Sequence, residues 1–442
     1  MDRKVSTSQL KQGMFITHLD RPWIDTPFLY KDTTLENSED INLVREYCNY
    51  VYIDPERGIA ADSYLDDMEL EKIKFEIIEE SGNHVKKKPT SHQNNTIKQY
   101  TKIVNSIKDA KIKSLKSLKS TTKYKDTTHV LKELKIAKKS HTESSNVMIG
   151  MMQDIFIGKK IDLITLSKAV TPMIESIIRN PDAYMWLTKL KEKDSYTYTH
   201  SVDTCALSII FGRHIGLPRE ELNIVAMSAL MLDVGKIRCP TKLLTKPEKL
   251  TNEEFDKIKK HVEYSLQVVD GIDEIPEEVK TIIASHHERH DGSGYPTGIK
   301  GHKIPIFSSI VALIDCYDAM TSYRPYSPTF AHHSAIHMIY SWRNVLFRSE
   351  LIEQFIQCLG VYPVGSIVEL NTGEVAIVIG LNRTRRLQPK IMLILDQDKK
   401  QYNNFKELDL MDQDKTNPGT YIKIENTLEP ESYGIRPDEL FL

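Results

Sequence analysis

The chain has 442 residues, enough for two or three domains, and its 40% hydrophobic and 27% charged residues suit a globular protein that buries a core. Its apolar runs fall short of the roughly 18–20 residues of a bilayer span. No apolar stretch follows Met1-Asp2-Arg3-Lys4-Val5, and the five cysteines form no CxxC pair. These features predict a cytoplasmic protein without a membrane span, a disulfide scaffold or a thiolate zinc site. The net charge of −2 hides an asymmetry: Lys86 to Lys139 holds 16 lysines, no arginine and three acids, a local +13 that leaves −15 for the rest.

Residues 1–62 read as a small α+β unit. Met14 to Leu19 and Tyr50-Val51-Tyr52-Ile53 have strand character, and Ser38-Glu39-Asp40 is a cap for a helix through Ile41, Leu43, Val44 and Tyr47. Residues 63–145 form a basic linker or arm of open conformation. Ser, Thr and Asn are frequent between its lysines, arginine is absent and aromatics are sparse (Tyr100 and Tyr124 between Lys86 and Lys139), so bidentate readers are missing, stacking ones are few, and nucleic acid is not an expected partner. Residues 146–359 are helical. Ile161 to Leu190 breaks near Asn180-Pro181, and five helices follow: one through His200 ending near Gly216, Arg219 to Gly235, one opening at Leu250-Thr251-Asn252-Glu253-Glu254, Glu277 to His287, and Ile306 to Ser322. Thr251 with Glu254 has the spacing of a capping box. Residues 360–442 form a small β-rich unit, with strands at 366–370, 374–379 and 390–395 and a turn at Asn371-Thr372-Gly373. The fold class is therefore multidomain: a small α+β unit, an all-α centre and a β-rich end.

Seven of the fifteen histidines lie between His200 and His302, accompanied by carboxylates. His200, Asp233, His261, the pair His286-His287 and Asp315 each fall on a different helix or helix end. Side chains aimed inward from such positions make a mixed nitrogen and oxygen set suited to Fe, Mn, Zn or Ni, and neutral imidazoles with a bridging carboxylate can hold two metals. The most specific string is His286-His287-Glu288-Arg289-His290-Asp291-Gly292-Ser293-Gly294-Tyr295-Pro296, where two glycines and a proline stop a helix just after the tandem histidines. A zincin helix needs His-Glu-x-x-His, and His287-Glu288-Arg289-His290 is one residue short.

This string resembles the HHE…DGxGYP signature of the HD-GYP family. Tyr196 to Ser201, Lys246-Pro247, Leu250-Thr251 with His261, Asp315 to Ser322 and Arg324-Pro325-Tyr326 are similar to the family's other motifs, so the resemblance covers about residues 195–330. Leu10 to Met14 with Asp20 to Phe28 resembles the domain of unknown function that often precedes such modules. The resemblance implies an HD-type five-helix core, and a centre of two divalent ions, Fe or Mn, hydrolysing cyclic di-GMP to pGpG or GMP. It implies metal ligation by His200, Asp233 (bridging), His261, His286, His287 and Asp315, with Asp233 and Lys236 catalytic. It further implies substrate contact by Lys236, Gly294, Tyr295, Pro296 and Arg324. Its partners would be cyclic di-GMP and diguanylate cyclase (GGDEF) domains or other signalling proteins.

Two positions depart from the family. The histidine that precedes the aspartate of the HD pair is here Leu232, which ligates nothing. Tyr196 stands where members with a third metal carry Glu, so two ions are the expectation. A weakened phosphodiesterase and a degenerate sensor or interaction module both follow from Leu232. His290 and His302 are read as exposed loop residues, and His332, His333 and His337 as a helix start rather than a second cluster.

Overall fold

A computed structural model describes residues 3–19, 33–35, 41–42, 44–45, 48–53, 122–188, 196–244, 246, 248, 250–322, 330, 332–382, 385, 387–412, 421–428 and 432–435. The chain divides into two compact units, Met1–Thr90 and Ser91–Leu442. The helix cap at residues 38–40 and residues 86–121 of the lysine tract lie outside the described residues.

The first unit holds an antiparallel sheet of β1 (Arg3–Ser6), β2 (Phe15–Leu19), β3 (Thr33–Thr34) and β4 (Tyr50–Ile53), in the order β1-β4-β2-β3. Alternation sets the faces of β4: Val51 and Ile53 are buried, Tyr50 and Tyr52 half-buried. Val51 and Ile53 join Val5, Leu10, Met14, Ile16, Leu35, Val44 and Cys48 in one core.

The second unit opens with α1 (Val130–Phe156), which runs through the expected boundary at 145/146. The helix was concealed because lysines alternate with its buried stripe of Val130, Leu134, Ala137, Ser140 and Ser144. Glu133, fully buried on that stripe, accepts from Ser176 Oγ (2.6 Å) and from Arg179 Nε (3.0 Å) and Nη2 (2.7 Å). Those three charge-assisted bonds offset its desolvation. Arg179 and Ser176 belong to α2 (Leu163–Arg179), and α3 (Pro181–Leu187) follows at once. Asn180 is extended and accepts from Asp182 N, while Pro181 takes the first helical position, where no N–H is needed.

The centre is α4 (Tyr196–His214), α5 (Arg219–Met231), α6 (Asn252–Lys259), α7 (His261–Val269), α8 (Glu277–Ser285) and α9 (Ile306–Thr321). Helix α4 is buried along most of its length, from Val202 to Phe211, and packs on α5 and α9. The capping box forms as expected, Thr251 Oγ1 accepting from Glu254 N and Glu254 Oε2 from Thr251 N. Two helix ends differ from expectation. Helix α5 stops at Met231 and a 3-10 turn, Val234–Arg238, takes over. His261 opens a separate helix, α7, instead of continuing the one that starts after Thr251, and its Nδ1 donates to the Ile258 carbonyl (2.8 Å). Helices α10 (His332–Ser341) and α11 (Ser349–Leu359) close the helical part.

A second antiparallel sheet comprises β5 (Ile367–Leu370), β6 (Val375–Gly380), β7 (Lys390–Leu395), β8 (Gln401–Asp409) and β9 (Ile424–Thr427), in the order β8-β7-β6-β5-β9. Gly373, with φ +86°, makes the β5–β6 turn. All of β6 is buried, and all of β7 except Lys390. Asp182 of α3 accepts from Leu381 N (3.0 Å), tying this sheet to the helices.

Candidate metal centre

His200 enters from the first turn of α4, and its ring is fixed from behind. Nδ1 donates to Asp318 Oδ2 (2.6 Å), which also accepts from Ser322 Oγ (2.9 Å). The opposite nitrogen, Nε2, then faces Asp315 Oδ1 (3.1 Å) and Asp233 Oδ2 (3.8 Å). Asp315 and Asp318 lie three apart on α9 and so share one face.

Asp233 sits between α5 and the 3-10 turn. That turn lies hard against α7: a Cβ on Gly235 would stand 2.2 Å from the His261 carbonyl oxygen and 2.3 Å from Ser265 N. Ser265 Oγ fastens it, donating to the Leu232 carbonyl and accepting from Gly235 N, both at 2.8 Å. Asp233 Oδ1 is thereby brought within 3.4 Å of His261 Nε2, while Lys236 Nζ meets Oδ2 at 2.5 Å. Leu232 itself is buried and offers no donor atom.

The remaining imidazoles obey one rule. His261 and His286 each donate Nδ1–H to the backbone carbonyl three residues earlier, Ile258 and Ile283, so each Nε2 carries its lone pair into the cavity. His287 Nε2 lies 3.1 Å from His261 Nε2. Asp233, His261, His286 and His287 place one donor atom each within 4.8 Å of one another, and so do His200, Asp233 and Asp315. Asp233 belongs to both groups. Two buried donor atoms, Asp233 Oδ1 and His286 Nε2, have no hydrogen-bond partner. Buried polar atoms without partners are costly, and an ion held by these groups would satisfy them. The residues present thus fit a divalent metal centre.

Electrostatics agree with that fit at three of the four imidazoles, while the fourth, His200, is held charged and must give up its Nε2 proton to ligate. Burial pushes His261, His286 and His287 toward the neutral form that ligates metals, His286 to about 4. Burial also disfavours the charged form of His200, but its bonds to Asp315 and Asp318 prevail and raise it to about 9. Burial would raise both Asp233 and Asp315, yet each is held below the usual carboxylate range, Asp233 first by Lys236 and Asp315 first by His200.

The loop after the histidines is locked onto them. Glu288, 2% exposed, accepts from Thr297 N (2.8 Å), Thr297 Oγ1 (2.7 Å) and Ile299 N (3.1 Å). Gly294 packs where a Cβ would meet Arg289 N and the His287 carbonyl oxygen, each at 2.4 Å. Tyr295 stacks on His287, centroids 4.5 Å apart, with Pro296 half-buried beside it. All six nominated ligands therefore converge, and Lys236, Gly294, Tyr295 and Pro296 border them; Arg324 lies outside the described residues. His302 is exposed as expected. His290 is half-buried, because its backbone N–H pairs with the Leu346 carbonyl (2.9 Å) and brings the 342–347 loop over it. His332 Nδ1 accepts from Tyr317 Oη (2.7 Å), and no donor group among the described residues includes it. The sequence reading did not single out Asp318 or Glu288. The i, i+3 spacing of Asp315 and Asp318 was the available signal for the first; Glu288 had none beyond its place in the string.

Residues 180–347 match the HD domain family, residues 2–165 a domain of unknown function (DUF3391), and residues 367–418 a KOW domain associated with HD domains. A cyclic di-GMP phosphodiesterase of Pseudomonas aeruginosa is 33% identical over 244 residues, covering 55% of this chain and 59% of that one. The cyclic di-GMP phosphodiesterase response regulator RpfG of Xanthomonas campestris is 36% identical over 149 residues, 34% of this chain and 39% of its own. A 3'3'-cGAMP-specific phosphodiesterase of Vibrio cholerae is 36% identical over 137 residues, 30% and 31% of the two chains. The matches thus span between about a third and three fifths of these relatives. No helix among the described residues is long and apolar enough to cross a membrane. Signature, helical core and flanking matches agree on an arrangement: a stretch similar to the HD domain at residues 180–347, preceded by a DUF3391 match and followed by a match to a KOW domain associated with HD domains.

Proposed function

We propose that the chain is a metal-dependent phosphodiesterase of the cytoplasm that hydrolyses cyclic di-GMP to pGpG or GMP, with activity lowered by Leu232. The observation that carries this reading is the pair of donor groups sharing Asp233, with Asp233 Oδ1 and His286 Nε2 buried and unbonded. His261, His286, His287 and Asp233 would hold one divalent ion, and His200, Asp315 and the shared Asp233 a second; Mn and Fe suit such mixed donors. Ions so held supply Lewis acidity toward a phosphoryl oxygen and an activated water. The protein's own part is positional. Asp318 holds the His200 ring, the backbone carbonyls hold His261 and His286, and Lys236 places an ammonium at the rim for a substrate phosphate. The Gly294-Tyr295-Pro296 loop and Arg324 complete the substrate side, and the loop is a docking face for GGDEF domains or other signalling proteins.

Leu232 favours a second reading, a degenerate sensor that binds cyclic di-GMP without turning it over, since binding demands less than transition-state stabilisation. Metal analysis with a turnover assay separates the two, comparing wild type with Leu232→His. The phosphodiesterase reading expects low turnover that rises with added Mn²⁺ or Fe²⁺, and higher metal content and turnover in the variant. Retained binding with no turnover at saturating metal would establish the sensor.

A further inference from the structure

We propose that Phe255 on α6 is a stacking platform for one base of the cyclic dinucleotide. The inference rests on the phosphodiesterase reading above and names a binding element of the same site. Helix α6 has no buried residue, so its aromatic is not a core residue. Phe255 is 42% exposed, one of the few large apolar side chains left in solvent among the described residues. It nevertheless has a defined place. Its ring meets Tyr295 edge to face, centroids 6.1 Å apart, and Tyr295 in turn stacks on His287. A continuous row of rings thus leads from the candidate metal ligands to the solvent-exposed ring of Phe255.

That face already holds a cation. Lys259 Nζ lies 4.6 Å from the Phe255 centroid and 5.6 Å from that of Tyr295, and bonds Asp256 Oδ1 at 2.9 Å. A base stacking on that face takes the place of the Lys259 ammonium, whose Asp256 partner on the same helix remains to it. Every base has a π face, and alanine substitution at base–aromatic stacks costs enough to weaken binding about ten-fold or more. The capping box holds α6 at its N-terminus, so the ring is presented by a helix with a fixed start. Phe255 stands one ring beyond Tyr295, which itself stacks on the candidate ligand His287, and this nearness is what places a base of a nucleotide held at the centre on it.

The test uses the full chain loaded with Mn²⁺, in wild type, Phe255→Ala and Phe255→Tyr. Cyclic di-GMP hydrolysis is followed alongside the fluorescence of a cyclic dinucleotide carrying 2-aminopurine, which is quenched on stacking. The platform predicts a KM about ten-fold higher in Phe255→Ala, the loss falling on KM rather than kcat, with quenching lost as well; Phe255→Tyr restores both. Wild-type turnover with KM and quenching unchanged in Phe255→Ala overturns the platform and leaves the phosphodiesterase reading standing. Neither turnover nor nucleotide binding by the wild type overturns that reading, and the platform with it.

Discussion

Asp233 is the residue on which both halves of the centre depend, since it alone belongs to both donor groups. On the proposed reading, Asp233→Ala removes the carboxylate that both groups share and is expected to abolish turnover and strip bound metal, as read by elemental analysis of the purified variant. Asp318 touches neither group's shared space and acts through the His200 ring. Asp318→Asn keeps the volume but weakens a charge-assisted bond of 2.6 Å, and a loss of roughly 10–100-fold in metal affinity follows from such outer-shell changes. Far-UV circular dichroism should stay as in wild type while the metal titration shifts. The difference between these two aspartates also marks the reach of the sequence. Asp233 was legible because its motif is local: an apolar run, the acid, a glycine and a lysine. The partner of Asp318 lies 118 residues away on another helix, and only the fold brings them together.

At the scale of elements, the centre depends on how closely the turn Val234–Arg238 lies on α7. Gly235 permits that approach, and its methyl would fall 2.2 Å from a backbone oxygen that has no rotamer to yield. Gly235→Ala must push the turn away from α7, at a cost of about 1–3 kcal/mol by the usual measure of overpacking. It should also carry Asp233 away from His261. A lower urea midpoint together with reduced metal content is the expected pair of results; a lower midpoint with full metal content would show the turn adjusting without moving Asp233. The helices that carry the ligands were readable from their periodicity and caps. Their ends were not: α5 gives way to a 3-10 turn at Val234–Arg238, and α6 and α7 divide at Lys260, inside stretches whose periodicity is unbroken.

Across the whole molecule, α1 shows where composition misleads. Its lysines made residues up to 145 look like a solvated arm, yet Val130, Glu133, Leu134 and Ala137 are buried and Glu133 pairs with Arg179 of α2. A fragment starting at residue 146 would lose that stripe and leave Arg179 without its carboxylate. Each large apolar side chain so exposed is worth about 1.5–3 kcal/mol. A fragment of residues 122–442 should unfold cooperatively in urea, whereas 146–442 should unfold at much lower urea or precipitate; equal midpoints would show that α1 contributes nothing to the helical core. In the C-terminal sheet the inner strands were legible, since β6 and β7 are unbroken β-branched and aliphatic runs bounded by turns, whereas the polar edge strands β8 and β9 carry no such run and were not read. The strand order of that sheet has a consequence for how the chain behaves in a crowded solution. Val375–Gly380 and Lys390–Leu395 are uncharged apart from Lys390 and rich in the residues that template cross-β stacking. They lie inside the sheet, while the outer strands β8 and β9 present Gln401, Asn403, Asn404, Lys406, Glu407, Glu425 and Asn426 to solvent. Polar and charged edges are poor templates for a second chain, so the order of strands guards the molecule against fibre growth at its own most adhesive segments.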